Sequence, residues 1–166
     1  MFDRFVNAFD RTLAVVSYAG AMLAALATLA ILGLVCTEVL LRELFDLSTL
    51  IADEMSGYLN VALVYLGLSY TLREGGFIRV EALYSKISHR AGRLVPWIIV
   101  VVSFAYLLVL IVYMSQHVIY SYESNIRSMF VSQTPLFWPQ LLIPLGLGIL
   151  ALQFLAYALK RVRDLP

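Results

Sequence analysis

The chain has 166 residues, of which 61% are hydrophobic and 14% are charged, and its formal net charge is +1 at pH 7. A soluble domain of this size could not cover its surface with so few charged groups, so the composition excludes that class and indicates an integral membrane protein. The near-neutral charge gives no indication of a nucleic-acid partner. The single cysteine, Cys36, excludes a disulfide within one chain, and we expect it to be a small buried residue.

The first predicted element is a short amphipathic helix at about 2–11. Its apolar residues recur at helical spacing, with charged and polar residues elsewhere around the helix: Phe2, Phe5, Val6 and Phe9. We expect this helix to lie in the headgroup layer of the membrane. The alternative is a cytoplasmic extension of the span that follows, and the periodicity does not distinguish the two.

Four apolar segments follow, each long enough to cross the hydrocarbon core of a bilayer as a helix, which takes about 20 residues. They cover about 13–41, 50–72, 94–120 and 135–159. Backbone groups must be hydrogen-bonded in lipid, and these runs are too long for barrel strands, so the fold class is an all-α membrane protein with four transmembrane helices. Small residues along the first span predict a close helix contact there, either within the bundle or with another subunit, and the sequence does not distinguish the two: Ser17, Gly20, Ala21, Ala24, Ala25 and Thr28.

The basic residues predict the orientation of the four spans. Ten of the twelve lie in segments that fall on one side: Arg4, Arg11, Arg73, Arg79, Lys86, Arg90, Arg93, Lys160, Arg161 and Arg163. The opposite side has Arg42 and Arg127. By the positive-inside rule, both termini are cytoplasmic.

The connection between the second and third spans predicts a helix break followed by a second interfacial helix. Adjacent glycines, Gly75 and Gly76, permit a sharp change of direction. Apolar residues then recur at helical spacing between Arg79 and Arg93, which predicts an amphipathic helix at about 79–92.

In the fourth span, Pro144 is expected to kink the helix because proline lacks the N–H group and clashes with the preceding turn.

Charged residues near the ends of two spans are the candidates for a functional role. Glu38 and Arg42 have the i, i+4 spacing of an ion pair on one helix face, and the alternative is docking to a protein outside the membrane. Asp53 and Glu54 open the second span, where the positive end of the helix dipole favours acidic residues. Their alternative roles are an ion or proton site, or a polar contact with a partner subunit.

No pattern in the sequence indicates catalysis, a metal site or a cofactor. The two histidines, His89 and His117, fall on opposite sides of the predicted topology and cannot ligate one haem together. Nucleophile–base arrangements, phosphate-binding loops and metal-ligand spacings are not found.

Three segments together resemble one family over nearly the whole chain. Glu54 lies in ADEMSGYL at the start of the second span, and that span ends in GLSYTLREGGFIRVEALYS, with Arg73, Gly75, Gly76 and Arg79 in an Arg-x-Gly-Gly-x-Ile-Arg-Val run. The fourth span opens with TPLFWPQLLIPLG, which contains Pro144. In these features and in its length the chain is similar to the small membrane subunit of tripartite ATP-independent periplasmic (TRAP) transporters, the DctQ-like family. It departs from the family at Gly57-Tyr58, where Arg-Tyr is more usual, so no polar role is carried over to position 57.

The resemblance implies a companion subunit in a bacterial inner membrane rather than an enzyme or a carrier. Its partners would be a large DctM-like membrane subunit, which moves substrate with sodium by an elevator-like motion, and a periplasmic DctP-like binding protein that delivers an organic acid. The residues expected at partner contacts or in structural roles are Glu38, Arg42, Asp53, Glu54, Arg73, Gly75, Gly76, Arg79, Arg127 and Pro144. The alternatives are an autonomous small ion-coupled carrier using Glu38 or Glu54, and a membrane anchor of a redox complex.

Overall fold

Four helices make up the computed structural model, which describes residues 2–75 and 91–163. Helix α1 covers Phe2–Phe45, α2 covers Ala52–Arg73, α3 covers Ala91–Glu123 and α4 covers Phe137–Arg163. Within these described ranges, the β-type pairing is a single isolated bridge between Arg127 and Pro135. The predicted all-helical class is confirmed, and the four helices correspond in order to the four predicted spans.

Three segments of the described chain are long and apolar enough to cross a membrane: Val6–Phe45, Val101–Glu123 and Phe137–Leu159. The chain is therefore a membrane protein. Helix α2 is the exception because its 22 residues include Asp53, Glu54 and Asn60, which lower its hydropathy. Its length of about 33 Å, at 1.5 Å per residue, still matches the hydrocarbon thickness, so a fourth crossing by α2 stays a prediction.

The N-terminal segment 2–11 is helical, but it is not a separate helix. It forms the first turns of α1, which continues without interruption to Phe45 over 44 residues. A helix of that length extends about 66 Å, roughly twice the hydrocarbon thickness, so it must project beyond the bilayer core. The uninterrupted backbone favours the extension over the separate interfacial helix. The second predicted interfacial helix, 79–92, falls almost entirely outside the described residues.

Helix α4 packs against all three other helices, and α2 packs against α1 and α4. The apolar core forms where α2, α3 and α4 meet, around Leu107, Leu147 and Leu150. Partly buried residues of all three helices surround these leucines, among them Tyr65, Leu68, Ile111 and Phe154.

The contact face of α1 is a narrow stripe of mostly small residues. The buried positions follow one another at alternating intervals of four and three: Leu13, Ser17, Gly20, Ala24 and Ala27. This spacing keeps one seam against a neighbouring helix, as in left-handed coiled coils. Of the small residues predicted at a contact, Ser17, Gly20 and Ala24 lie on this seam, whereas Ala25 and Thr28 are exposed. Cys36 is also exposed, so its predicted burial is wrong.

Two glycines bring α1 and α4 very close to the backbone of α2. A Cβ atom added to Gly20 would lie 2.6 Å from the carbonyl oxygen of Leu66. One added to Gly146 would lie even closer to the carbonyl oxygen of Tyr65. Adjacent residues of α2 are therefore approached from two sides at distances that only glycine permits.

Replacing Gly146 by alanine is expected to destabilise the bundle by about 1–3 kcal/mol, the usual cost of overpacking, because the added methyl would overlap the α2 backbone. Gly148→Ala is the matched control, since a Cβ there meets nothing within 4 Å. Thermal unfolding in detergent measures both variants. Equal midpoints for the two would contradict the close approach of α4 to α2.

Candidate functional site

The polar side chains of the described bundle gather at its two ends. We call the end that contains the connections 46–51 and 124–136 the loop end. We call the opposite end, where α1 begins and α2 finishes, the terminal end. The predicted site residues divide between them: Glu38, Arg42, Asp53, Glu54 and Arg127 belong to the loop end, and Arg73 and Gly75 belong to the terminal end.

At the loop end, Glu38 fixes the connection between α1 and α2. Its side chain is buried, and it accepts hydrogen bonds from the Arg42 Nε at 2.8 Å, the Ser48 hydroxyl at 2.5 Å and the Thr49 backbone N–H at 3.1 Å. The Thr49 hydroxyl is a further donor. The predicted ion pair with Arg42 is therefore present, and it is one part of a larger set of contacts.

The connection that Glu38 holds has an unusual backbone for its residues. Asp46 and Leu50 both have positive φ angles, 52° and 56°, in the left-handed region that glycine favours. Leucine rarely adopts this conformation, so the surrounding contacts must stabilise it. Hydrogen bonds on both sides do so: the Asp46 N–H donates to the Arg42 carbonyl, and the Leu50 N–H donates to the Ser48 hydroxyl.

Glu54 fixes the second connection of the loop end in the same manner. It is 4% exposed and accepts hydrogen bonds from the Tyr58 hydroxyl and the Ser132 hydroxyl, each at 2.6 Å. The Ser132 hydroxyl also lies 2.7 Å from that of Thr134. A residue at the start of α2 thus holds a loop 78 positions later in the chain. Asp53, its neighbour, is exposed, so the predicted acidic pair separates into one buried and one exposed carboxylate.

The loop held by Glu54 is a small hairpin. The Ser128 N–H donates to the Thr134 carbonyl at 2.9 Å, and the Leu136 N–H donates to the Ile126 carbonyl at 3.0 Å. At the tip, a turn is closed by a hydrogen bond in which the Gln133 N–H donates to the Phe130 carbonyl at 3.1 Å. Arg127 is exposed on this hairpin, and the tip exposes three apolar side chains, Met129, Phe130 and Val131.

At the terminal end, Arg73 joins the last turn of α2 to the first turns of α1. Its guanidinium lies 3.3 Å from the Asp10 carboxylate and 3.4 Å from the Asp10 carbonyl oxygen. Two grooves of about 490 and 210 Å³ flank Arg73 and are open to the surface. The predicted break follows at once, because α2 ends and Gly75 takes a positive φ of 69°. Gly76 and Arg79 lie outside the described residues.

Inside the bundle, one polar contact joins three helices. The Ser69 hydroxyl of α2 donates to the Ser17 hydroxyl of α1 at 3.0 Å, and Ser17 donates to the Gln153 Oε1 of α4 at 3.5 Å. All three side chains are buried. The sequence pattern marked Ser17 only as a small residue and did not indicate Gln153. A buried glutamine in an apolar helix is the signal that could have found this contact, since buried amides are normally hydrogen-bonded.

Pro144 lies inside α4, as predicted, and is half-buried. It removes the hydrogen bond that the Gln140 carbonyl would otherwise receive within the helix. The predicted kink stays a prediction. The described part of the chain contains no group of three or more His, Cys, Asp or Glu side chains placed to hold a metal ion.

The chemistry available at the loop end is therefore structural. Each buried glutamate uses its oxygens to accept hydrogen bonds from its own chain, which stabilises the carboxylate away from water. Among the groups exposed at this end are Arg42, Asp46, Asp53, Arg127 and the apolar hairpin tip. The loop end therefore exposes both charged and apolar side chains.

Glu54→Ala is expected to release the hairpin from α2, because the Ser132 and Tyr58 hydroxyls would lose their acceptor. Limited trypsin digestion in detergent measures the effect, since Arg127 is the cleavage point on the hairpin. We expect cleavage after Arg127 to accelerate severalfold. Asp53→Ala serves as the control at the adjacent exposed carboxylate, and cleavage at the same rate in both variants would show that Glu54 does not hold the hairpin.

Comparison with known proteins gives one match. Residues 31–164 match the model of the family described as tripartite ATP-independent periplasmic transporters, DctQ component. No curated protein and no solved structure matches the chain. The matched range includes both buried glutamates, Arg73 and the whole of α2, α3 and the loop end.

Proposed function

Because the chain belongs to the DctQ component family of TRAP transporters, we propose that it is a static companion that scaffolds the large DctM-like membrane subunit. The observation that carries this proposal is the use of both buried glutamates to fix the chain's own connections. A carrier needs polar groups that bind substrate or ion near the middle of the membrane and release them. In the described bundle, the buried Glu38 and Glu54 accept hydrogen bonds from the chain's own connections, and Ser17, Ser69 and Gln153 contact one another between helices.

In this arrangement the large subunit binds and moves the organic acid together with sodium. The small subunit enlarges the fixed part of the complex against which that motion takes place. Close packing of α2 between α1 and α4 supports such a role, because glycine-mediated contacts leave little room for one helix to slide past another. The segment 79–92 would brace the complex on the inner leaflet, a role that rests on its sequence pattern.

In the proposed orientation, both termini lie in the cytoplasm of a bacterial cell and the protein lies in the inner membrane. The ten basic residues on the side of the terminal end support it by the positive-inside rule. The loop end then faces the periplasm. There the exposed Arg42, Asp46 and Arg127 help to dock the DctP-like binding protein, on connections that Glu38 and Glu54 hold in place.

No specific observation favours either alternative, the autonomous carrier or the membrane anchor of a redox complex. An autonomous carrier would need Glu38 or Glu54 to bind and release an ion, yet both accept several hydrogen bonds from neighbouring side chains. A haem-binding anchor would need paired ligands, and His117 is exposed on α3.

Purification of the tagged chain in mild detergent, after co-expression with a DctM-like subunit, tests the companion role. We expect a stoichiometric complex. In liposomes with a sodium gradient, the complex supplied with binding protein should accumulate organic acid, and the chain alone should not. Accumulation by the chain alone, abolished by Glu38→Gln or Glu54→Gln, would replace the companion role by the carrier role.

Single-cysteine labelling tests the orientation. In a Cys36→Ser background, Arg127→Cys should react with a membrane-impermeant maleimide in intact spheroplasts, because the hairpin faces the periplasm. Arg4→Cys, at the exposed start of α1, should react only after the membrane is permeabilised. The reverse pattern would invert the proposed topology.

A further inference from the structure

Helix α2 differs from its neighbours in what it exposes. On α1 and the described part of α3, many of the exposed side chains are large and apolar, for example Leu29 and Val109, as expected for contact with lipid tails. The exposed positions of α2 are instead Asp53, Gly57, Asn60, Val64 and Thr71, which we call the α2 stripe. Only one of these five side chains is a large hydrophobe, so the surface of α2 is poorly suited to lipid.

Asn60 is the polar residue of the stripe that lies farthest from both ends of α2. It lies about 10 Å along the helix from Asp53 and about 20 Å from Arg73, at 1.5 Å per residue. Its depth is therefore within the hydrocarbon if α2 spans the membrane. Its side-chain amide is exposed and makes no hydrogen bond to any described residue. Lipid tails offer neither donors nor acceptors, so an unpaired amide at this depth is unfavourable.

Gly57 lies one turn from Asn60 on the same stripe. A Cβ atom added there would meet nothing within 4 Å, so the α2 backbone is bare on this side. In transmembrane helices, a small residue lets a second helix approach the backbone closely, and a polar side chain beside it can hydrogen-bond to that helix. The stripe also advances by alternating four and three residues from Asp53 to Val64, the period that α1 uses on its own contact face with α2.

We propose that the α2 stripe is the surface that binds a transmembrane helix of the large membrane subunit. That helix presents a hydrogen-bonding side chain to the Asn60 amide and a close surface to Gly57. The inference rests on the proposed companion function and adds to it the helix through which the two subunits meet. A membrane helix is the fitting occupant because it alone supplies donors and acceptors at this depth while matching the period of the stripe.

The test uses the full chain co-expressed with the DctM-like subunit. Gly57→Leu adds bulk to the stripe, and Asn60→Leu removes the amide. Each should lower the amount of large subunit recovered by about tenfold or more, the change that a moderate loss of affinity produces. Asn60→Gln, which keeps an amide, should retain more of the complex. Gly33→Leu is the matched control, because Gly33 is also exposed with open space around a Cβ.

Unchanged thermal unfolding of the variant chains on their own separates a lost contact from a lost fold. A second measurement does not depend on bulk: in a Cys36→Ser background, Asn60→Cys should form crosslinks to cysteines scanned through the large subunit. Two outcomes would overturn the proposal that the α2 stripe binds the large subunit. One is crosslinking to a second copy of the chain instead, and the other is full recovery of the large subunit with Gly57→Leu and Asn60→Leu. A wild-type chain that recovers no large subunit would overturn the proposed function itself.

Discussion

The position of α2 depends on the approach of two glycines to adjacent carbonyl groups of its backbone. Gly20 of α1 packs on Leu66, and Gly146 of α4 packs on Tyr65. Without a hydrophobic driving force between helices in lipid, close van der Waals contact and hydrogen bonds provide the stability. The three-helix contact of Ser17, Ser69 and Gln153 lies about one turn further along α2 and adds hydrogen bonds to that packing.

Once α2 is fixed, the connections at the loop end follow from it. Glu54 reaches the hairpin from the first turn of α2, and Glu38 reaches the loop that leads into α2. Buried carboxylates are costly unless they are hydrogen-bonded, so each one favours the loop conformation that supplies its donors. The same charges that suggest an ion pathway in a membrane sequence here stabilise two connections and hold a surface in place.

The contacts that the sequence predicted are those between near neighbours in the chain. The Glu38–Arg42 pair follows from i, i+4 spacing, and the break at Gly75 follows from the conformational freedom of glycine. Glu54 to Ser132, Asp10 to Arg73 and Ser17 to Gln153 could not be predicted, because one sequence does not specify which helix faces bring distant residues together. The sequence did not distinguish the uninterrupted α1 from a separate interfacial helix, since an amphipathic pattern is the same in an interfacial helix and in a helix extension.

The contact of Ser17, Ser69 and Gln153 has a consequence for how the protein is made. Synthesis proceeds from the N-terminus, so the first two hydroxyls can meet as soon as the second helix has left the translocation machinery. The amide arrives only with the last helix, more than eighty residues later. Until then the two hydroxyls lack their third partner. The hydrogen bond to Gln153 thus forms only after α4 has joined the other three helices.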